Sequence, residues 1–133
     1  MSDQTFDAAR QIAASQAMKR LPPRGGKRFA LLFQHGSFKL EVYAPRERDA
    51  QQPHDRDEAY VVFKGTATFV SGAQRYAVRP GDFCFAAAGE RHHFEDLSED
   101  FNTWVVFYGP EGGERRAAGL AAAPGGTAAA PPE

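Results

Sequence analysis

The chain of 133 residues has a single cysteine, Cys84, so no intramolecular disulfide framework can staple it. It also lacks an excess of charge of either sign. Sixteen basic residues stand against 17 acidic ones, a formal net charge of -1, which offers no electrostatic footprint for DNA or RNA. Long apolar runs are missing as well: the longest reach about five residues, against the roughly 20 needed to span a bilayer. The opening MSDQTFDAAR is acidic and polar, without the apolar stretch of a signal peptide. No fixed-period repeat points to a propeller or solenoid. What these absences leave is a soluble, single-domain protein of ordinary composition, 42% hydrophobic and 25% charged. The expected location is cytoplasmic, with no nucleic-acid or membrane partner.

Three zones differ in composition. From Thr5 to Leu21 the chain is alanine-rich and free of glycine and proline. Phe6, Ala9, Ile12, Ala13, Ala17 and Leu21 recur at spacings of three and four, which predicts one side of an amphipathic helix. Pro22 and Pro23 then end it. The last zone, GPEGGERRAAGLAAAPGGTAAAPPE, has little to bury and is expected to be a flexible tail. The division is an N-terminal helical segment over 1–26, a β domain over 27–110 and a disordered Gly/Ala/Pro-rich tail over 111–133.

The middle zone is built from short alternating runs: RFALLFQ, SFKLEVYA, EAYVVFK, TATFVS, QRYAVR, FCFAAA, HHFEDL and NTWVVFY. Turn dipeptides such as His35-Gly36, Lys64-Gly65, Ser71-Gly72 and Pro80-Gly81 separate many of them. Closely spaced short strands with no helix between them predict an all-β sandwich or barrel.

Polar residues that can carry chemistry gather in QQPHDRDE, just before the third of these runs. An imidazole and a carboxylate, His54 and Glu58, are suitable ligands for Zn, Fe, Mn or Ni. Alone they are weak evidence, because a His and a Glu in a polar loop are usually just solvated. About thirty residues on, RPGDFCFAAAGERHHFED places His92 at the opening of another strand. Neighbouring strand residues face opposite ways, so only one of His92 and His93 enters the interior, and parity with Phe94 favours His92. By the same parity Tyr60 and Val62 accompany Glu58. Asp55 and Asp57 read as loop polarity, Asp57 being near enough to support a ligand. Cys84, between two phenylalanines, reads as a small buried hydrophobe rather than a nucleophile.

These residues resemble the cupins. The first cupin motif is Gly, five residues, His-x-His, three or four residues, Glu, six residues, Gly. His54, Glu58 and Gly65 fit it, with Gln52 in place of the first histidine and Arg46 in place of the opening glycine. The second motif is Gly, five residues, Pro-x-Gly, two residues, His, three residues, Asn. Gly81, Gly89 and His92 fit it, with Ala87 for the proline and Asp96 for the asparagine. The resemblance covers roughly Phe29 to Tyr108 and implies a jelly-roll β-barrel with a divalent metal (Fe, Mn, Ni or Zn) held by His54, Glu58 and His92.

Two histidines and one carboxylate are also the ligand inventory of non-haem Fe(II) oxygenases. Gln52, on the same face as His54 if the segment is extended, is either a weak fourth ligand or a hydrogen-bond partner of metal-bound water. Tyr60 and Gln52 are candidate pocket residues around a small organic ligand. The resulting expectation is a metal-dependent enzyme, with O2-dependent oxidation preferred over isomerase or lyase chemistry. A non-catalytic small-molecule-binding cupin is the alternative, because the fold hosts both. A homodimer is expected, meeting through the N-terminal segment or the first strand, since sheet edges need cover.

Overall fold

A computed structural model of the chain describes residues 5–22, 28–49 and 51–114. Every one of the eight alternating runs forms a strand: β1 (Phe29–His35), β2 (Phe38–Tyr43), β3 (Asp57–Lys64), β4 (Ala67–Ser71), β5 (Gln74–Val78), β6 (Phe83–Ala86), β7 (His92–Glu95) and β8 (Asn102–Tyr108). Glycines close the turns where the backbone demands it. Gly65, between β3 and β4, has φ +75, and a Cβ there would lie 2.5 Å from Ser98 Oγ and 2.7 Å from Phe101 Cα. No side chain fits that position.

The strands pair antiparallel in two sheets, one ordered β1-β2-β8-β3-β6 and the other β5-β4-β7. This is the expected all-β, jelly-roll barrel with a short helix. Alternation sets the faces: in β3, Glu58, Tyr60 and Val62 are buried while Val61 is exposed. The inner residues of both sheets meet in one cluster that includes Tyr60, Val62, Phe69, Cys84, Phe94, Phe101 and Val105. Burying side chains of this kind stabilises by roughly 1.5–3 kcal/mol each, before entropy is subtracted.

The N-terminal segment departs from expectation. The helix α1 covers only Ala14–Lys19, and residues 5–13 are not helical. Tertiary contacts override the helical periodicity. The Phe6 amide donates to the Leu32 carbonyl (2.6 Å) and the Gln34 amide donates to Asp7 Oδ1 (3.0 Å), so this stretch satisfies groups that edge strand β1 would leave unpaired. Its apolar residues still pack together. Phe6, Ile12, Ala17 and Leu21 join Leu32, Leu40, Val42, Phe63 and Trp104 on the outer face of the larger sheet. The same face stays bare farther along, where Val61, Phe83 and Phe85 are exposed.

At the other end the chain is docked through residue 114. The Gly112 amide donates to the Asp55 carbonyl (2.6 Å) and the Glu114 amide to Asp57 Oδ2 (2.7 Å). The rest of the expected tail, 115–133, lies outside the described residues. No described helix is long and apolar enough to cross a membrane.

Candidate metal centre

Two connections, β2–β3 and β6–β7, meet at one mouth of the barrel, and hydrogen bonds hold them together. The Gly89 amide, in the β6–β7 turn, donates to the His54 carbonyl at 2.8 Å. The neighbouring Ala88 amide donates to buried Asp57 Oδ1 at 2.9 Å. The connection before β3 is pinned from the other side by Asp49. Its buried carboxylate accepts from the Tyr43 hydroxyl, from Gln51 Nε2 (2.8 Å) and from the Phe94 amide in β7 (2.7 Å). The histidine-bearing loop is therefore tied to both sheets.

His54, Glu58 and His92 come together at this point, each offering a ligand atom within 4.8 Å of the others. His54 Nε2 is 3.4 Å and His92 Nε2 is 3.2 Å from Glu58 Oε2. Glu58 and His92 are buried, whereas His54 is partly open to the cavity and packs edge-on against Phe107. His93 points the other way, its Nε2 2.7 Å from Glu95 Oε2 on the outer surface.

Proton counting shows what the cluster lacks. His92 Nδ1 lies 2.9 Å from the Glu90 carbonyl, which can only accept, so Nδ1 carries the proton. In the neutral ring, Nε2 then presents a lone pair toward the Glu58 carboxylate. The Tyr60 hydroxyl stands within hydrogen-bond distance of three acceptors: Glu58 Oε1 (2.8 Å), Gln51 Oε1 (3.1 Å) and His92 Nε2 (3.1 Å). It has one proton to share among them. His54 Nε2, facing Gln51 Oε1 (3.2 Å) and Glu58 Oε2 (3.4 Å), supplies a second hydrogen. None is left between the neutral His92 Nε2 and Glu58 Oε2, and either protonation or a cation relieves that. The protein's own electrostatics lean the same way. Burial opposes charging His92, but its hydrogen bonds to Glu58 and the Glu90 carbonyl, with the charges of Glu58 and Asp49, raise its pKa overall. Burial and the Glu58 charge push the Tyr60 hydroxyl well above its ordinary range, so it remains a neutral donor.

The donor chemistry fits a divalent transition ion. Two imidazoles and a carboxylate suit Zn, Fe, Mn or Ni, and a histidine whose second nitrogen is anchored to a carbonyl is the usual arrangement around such an ion.

Gln52 does not take the place expected of it. It is exposed and absent from the cavity wall, and Gln51 is there instead. Residues 51–54 are irregular rather than extended and include Pro53, so two-residue parity does not apply. Asp49 accepts the Gln51 amide hydrogen, which turns Gln51 Oε1 toward His54 Nε2 at 3.2 Å. Tyr60 lines the cavity, while Val62 and Phe94 belong to the core behind it. Cys84 is buried and its thiol is pushed up to about 12 by desolvation, which removes it as a nucleophile.

Above the cluster opens a cavity of about 780 Å³, within the range of small-molecule sites. Its wall includes Lys39, Glu41 and Tyr43, all from the inner face of β2. Sequence alternation separates Lys39 and Glu41 from Leu40 and Val42, and a polar face ordinarily meets solvent. Here the apolar face is the outer one, covered by the N-terminal segment, so the polar face lines the cavity.

Comparisons with known proteins agree with this architecture. A family model described as a cupin domain matches residues 39–108. An uncharacterized protein of Streptomyces coelicolor is 40% identical over 63 residues, 47% of this chain and 60% of its own length. The HTH-type transcriptional activator RhaS of Yersinia pestis is 31% identical over 72 residues, 54% of this chain and 26% of its own length. The chain therefore spans less than two thirds of either relative. Among solved structures, a Cupin 2 conserved barrel domain protein from Salinispora arenicola superposes with a TM-score of 0.57 at 21% identity, covering 76% of this chain and 90% of that one. That likeness bears on the fold alone.

Proposed function

The chain belongs to the cupin family, and on that premise we propose that it binds a divalent metal ion through His54, Glu58 and His92 and acts on a small organic molecule held in the adjoining cavity. The observation that carries this reading is the convergence of ligand atoms from His54, Glu58 and His92 within 4.8 Å of one another, with no hydrogen between the neutral His92 Nε2 and Glu58 Oε2. A bound ion would supply a Lewis acid for an oxygen donor of the ligand. Two histidines and one carboxylate would suit Fe(II), which would supply O2 chemistry, so O2-dependent oxidation is the preferred chemistry and isomerisation or lyase chemistry the next. The protein's own groups have definite parts in this. Tyr60 holds a proton against Glu58, Gln51 presents its carbonyl oxygen to the site, and Asp49 keeps Gln51 in that orientation.

A second reading is a cupin that captures its ligand without turning it over. The match to part of a transcriptional activator supports it, since such a protein needs binding rather than turnover. Cytoplasmic location and homodimeric assembly are part of the proposal, and light scattering reads the second directly.

The test is metal content per chain, measured beside circular dichroism to confirm folding. His54→Ala, Glu58→Ala and His92→Ala are each expected to lose bound metal, and His93→Ala to keep it. Gln51→Ala is expected to weaken retention, while Gln52→Ala leaves it unchanged. Equal loss in His92→Ala and His93→Ala would defeat the assignment. A folded wild-type protein that retains none of Fe, Mn, Ni or Zn leaves the ligand-binding module in its place, and O2 uptake with a ligand separates oxidation from capture.

A further inference from the structure

The cavity above the metal ligands is more positive than the molecule around it. The whole chain carries a formal -1, yet five cationic side chains line the cavity (Arg28, Lys39, Arg46, Arg48 and Arg56) against three carboxylates (Glu41, Asp55 and Glu58). The cations come from separate places: the approach to β1, β2 itself, and the β2–β3 connection. None of the five forms an ion pair with a carboxylate among the described residues.

Three of the five are held by neutral acceptors. Arg28 donates to the carbonyls of Ala44 (3.2 Å) and Pro22 (3.2 Å). Arg46 donates to those of Pro45 (3.0 Å) and Phe101 (2.6 Å), and Arg56 to that of Gly109 (2.7 Å). Such bonds fix a guanidinium in space without cancelling its charge. Arg46 and Arg28 also repel: burial, then the Arg28 charge, lowers the pKa of Arg46. The Asp100 charge offsets part of this. Folding has thus placed like charges beside one another around a cavity without closing an ion pair on any of them among the described residues. Fixed, unpaired cations in a partly desolvated site are a preorganised receptor for an anion.

We propose that the molecule taken into this cavity is a small anion bearing a carboxylate or phosphate group, bound by the arginines around Arg28 and Arg46. This rests on the reading of the cavity as the ligand site, and it names the class of ligand. One oxygen donor would face His54 and Glu58, and the anionic group the arginines. A purely structural role for the arginines predicts the reverse: their loss would lower stability and leave anion binding untouched.

The experiment is isothermal titration calorimetry at low ionic strength, with succinate, citrate and inorganic phosphate as probes and succinamide and glycerol as neutral counterparts. At least one anion is expected to bind more tightly than its neutral counterpart, with affinity falling as salt is raised. Arg28→Gln and Arg46→Gln are expected to weaken that binding by about tenfold or more, as loss of a charge-assisted hydrogen bond does. Because these two also hold backbone carbonyls, Lys39→Gln and Arg48→Gln serve as variants that remove charge without breaking those bonds, and each should also weaken it. Binding of the carboxylates but not phosphate, or of phosphate alone, identifies the anionic group and supports the proposal either way. Anions that bind no better than the neutral probes, or equally well to all four variants, overturn it. Metal content is measured on the same samples. Retained metal without anion selectivity defeats this inference alone, and anion selectivity without metal defeats the metal reading alone.

Discussion

Glu41 shows how a single side chain can be set against stability by its surroundings. Burial is the main cause that pushes its carboxyl up to about 6 from an ordinary 4.5; Lys39 pulls it back and the Glu58 charge adds to the rise. Folding therefore favours the protonated form. The stability this contributes is fully present below pH 4.5 and is lost as pH rises through about 6. The difference between the two values corresponds to about 2 kcal/mol at most, reduced by solvent screening at a group that is not fully buried. Glu41→Gln is accordingly expected to match the wild type below pH 4.5 and to exceed it by about 1–2 kcal/mol above pH 6. Urea unfolding at a series of pH values checks this, and a stability difference independent of pH would contradict it. Nothing in the sequence separates Glu41 from a solvated strand residue. Its environment arises only when the outer face of β2 is covered.

At the scale of elements, the site depends on how β3 is entered. Asp57 opens that strand, buried, and its two oxygens accept amides from different segments: Ala88 in the β6–β7 turn (2.9 Å) and Glu114 beyond β8 (2.7 Å). It fastens three chain segments without a hydrogen bond to His54 or His92. Asp57→Ala leaves both amides unpartnered and is expected to cost about 1–3 kcal/mol in urea unfolding. Asp57→Asn, which keeps one acceptor oxygen, should cost less. Amide exchange should quicken at Ala88 and Glu114 in the alanine variant. If the alanine variant unfolds no more easily than wild type, the clamp is not structural. The sequence places Asp57 near the site as a supporting residue, but the two amides it holds are distant in the chain, and only the fold reveals them.

For the whole molecule, the cluster of His54, Glu58 and His92 matters because it joins two sheets. Glu58 lies on β3 in the five-stranded sheet, His54 in the loop leading to it, and His92 on β7 in the three-stranded sheet. An ion bound by all three would cross-link the barrel at one mouth and favour the folded state by mass action. At a free concentration a hundredfold above Kd the gain is about 2.7 kcal/mol. The melting temperature is therefore expected to climb with added metal in the wild type and to stay flat in His92→Ala. A rise of equal size in that variant would show that the stabilising ion binds elsewhere.

The positions of the eight strands were legible along the chain because β structure writes itself locally, as two-residue alternation broken by glycine turns. His54, Glu58 and His92 were legible because motif spacing survives where parts of the motif have changed. The tertiary structure decided three things that spacing does not contain. It shortened the N-terminal helix to Ala14–Lys19, because the free edge of β1 offered residues 5–13 hydrogen bonds and an apolar surface. It put Gln51 rather than Gln52 beside His54 and Tyr60, because an irregular loop anchored on Asp49 follows no strand parity. It also turned the polar face of β2 inward, because alternation says which residues share a face, while which face meets water depends on what the rest of the chain lays over the other.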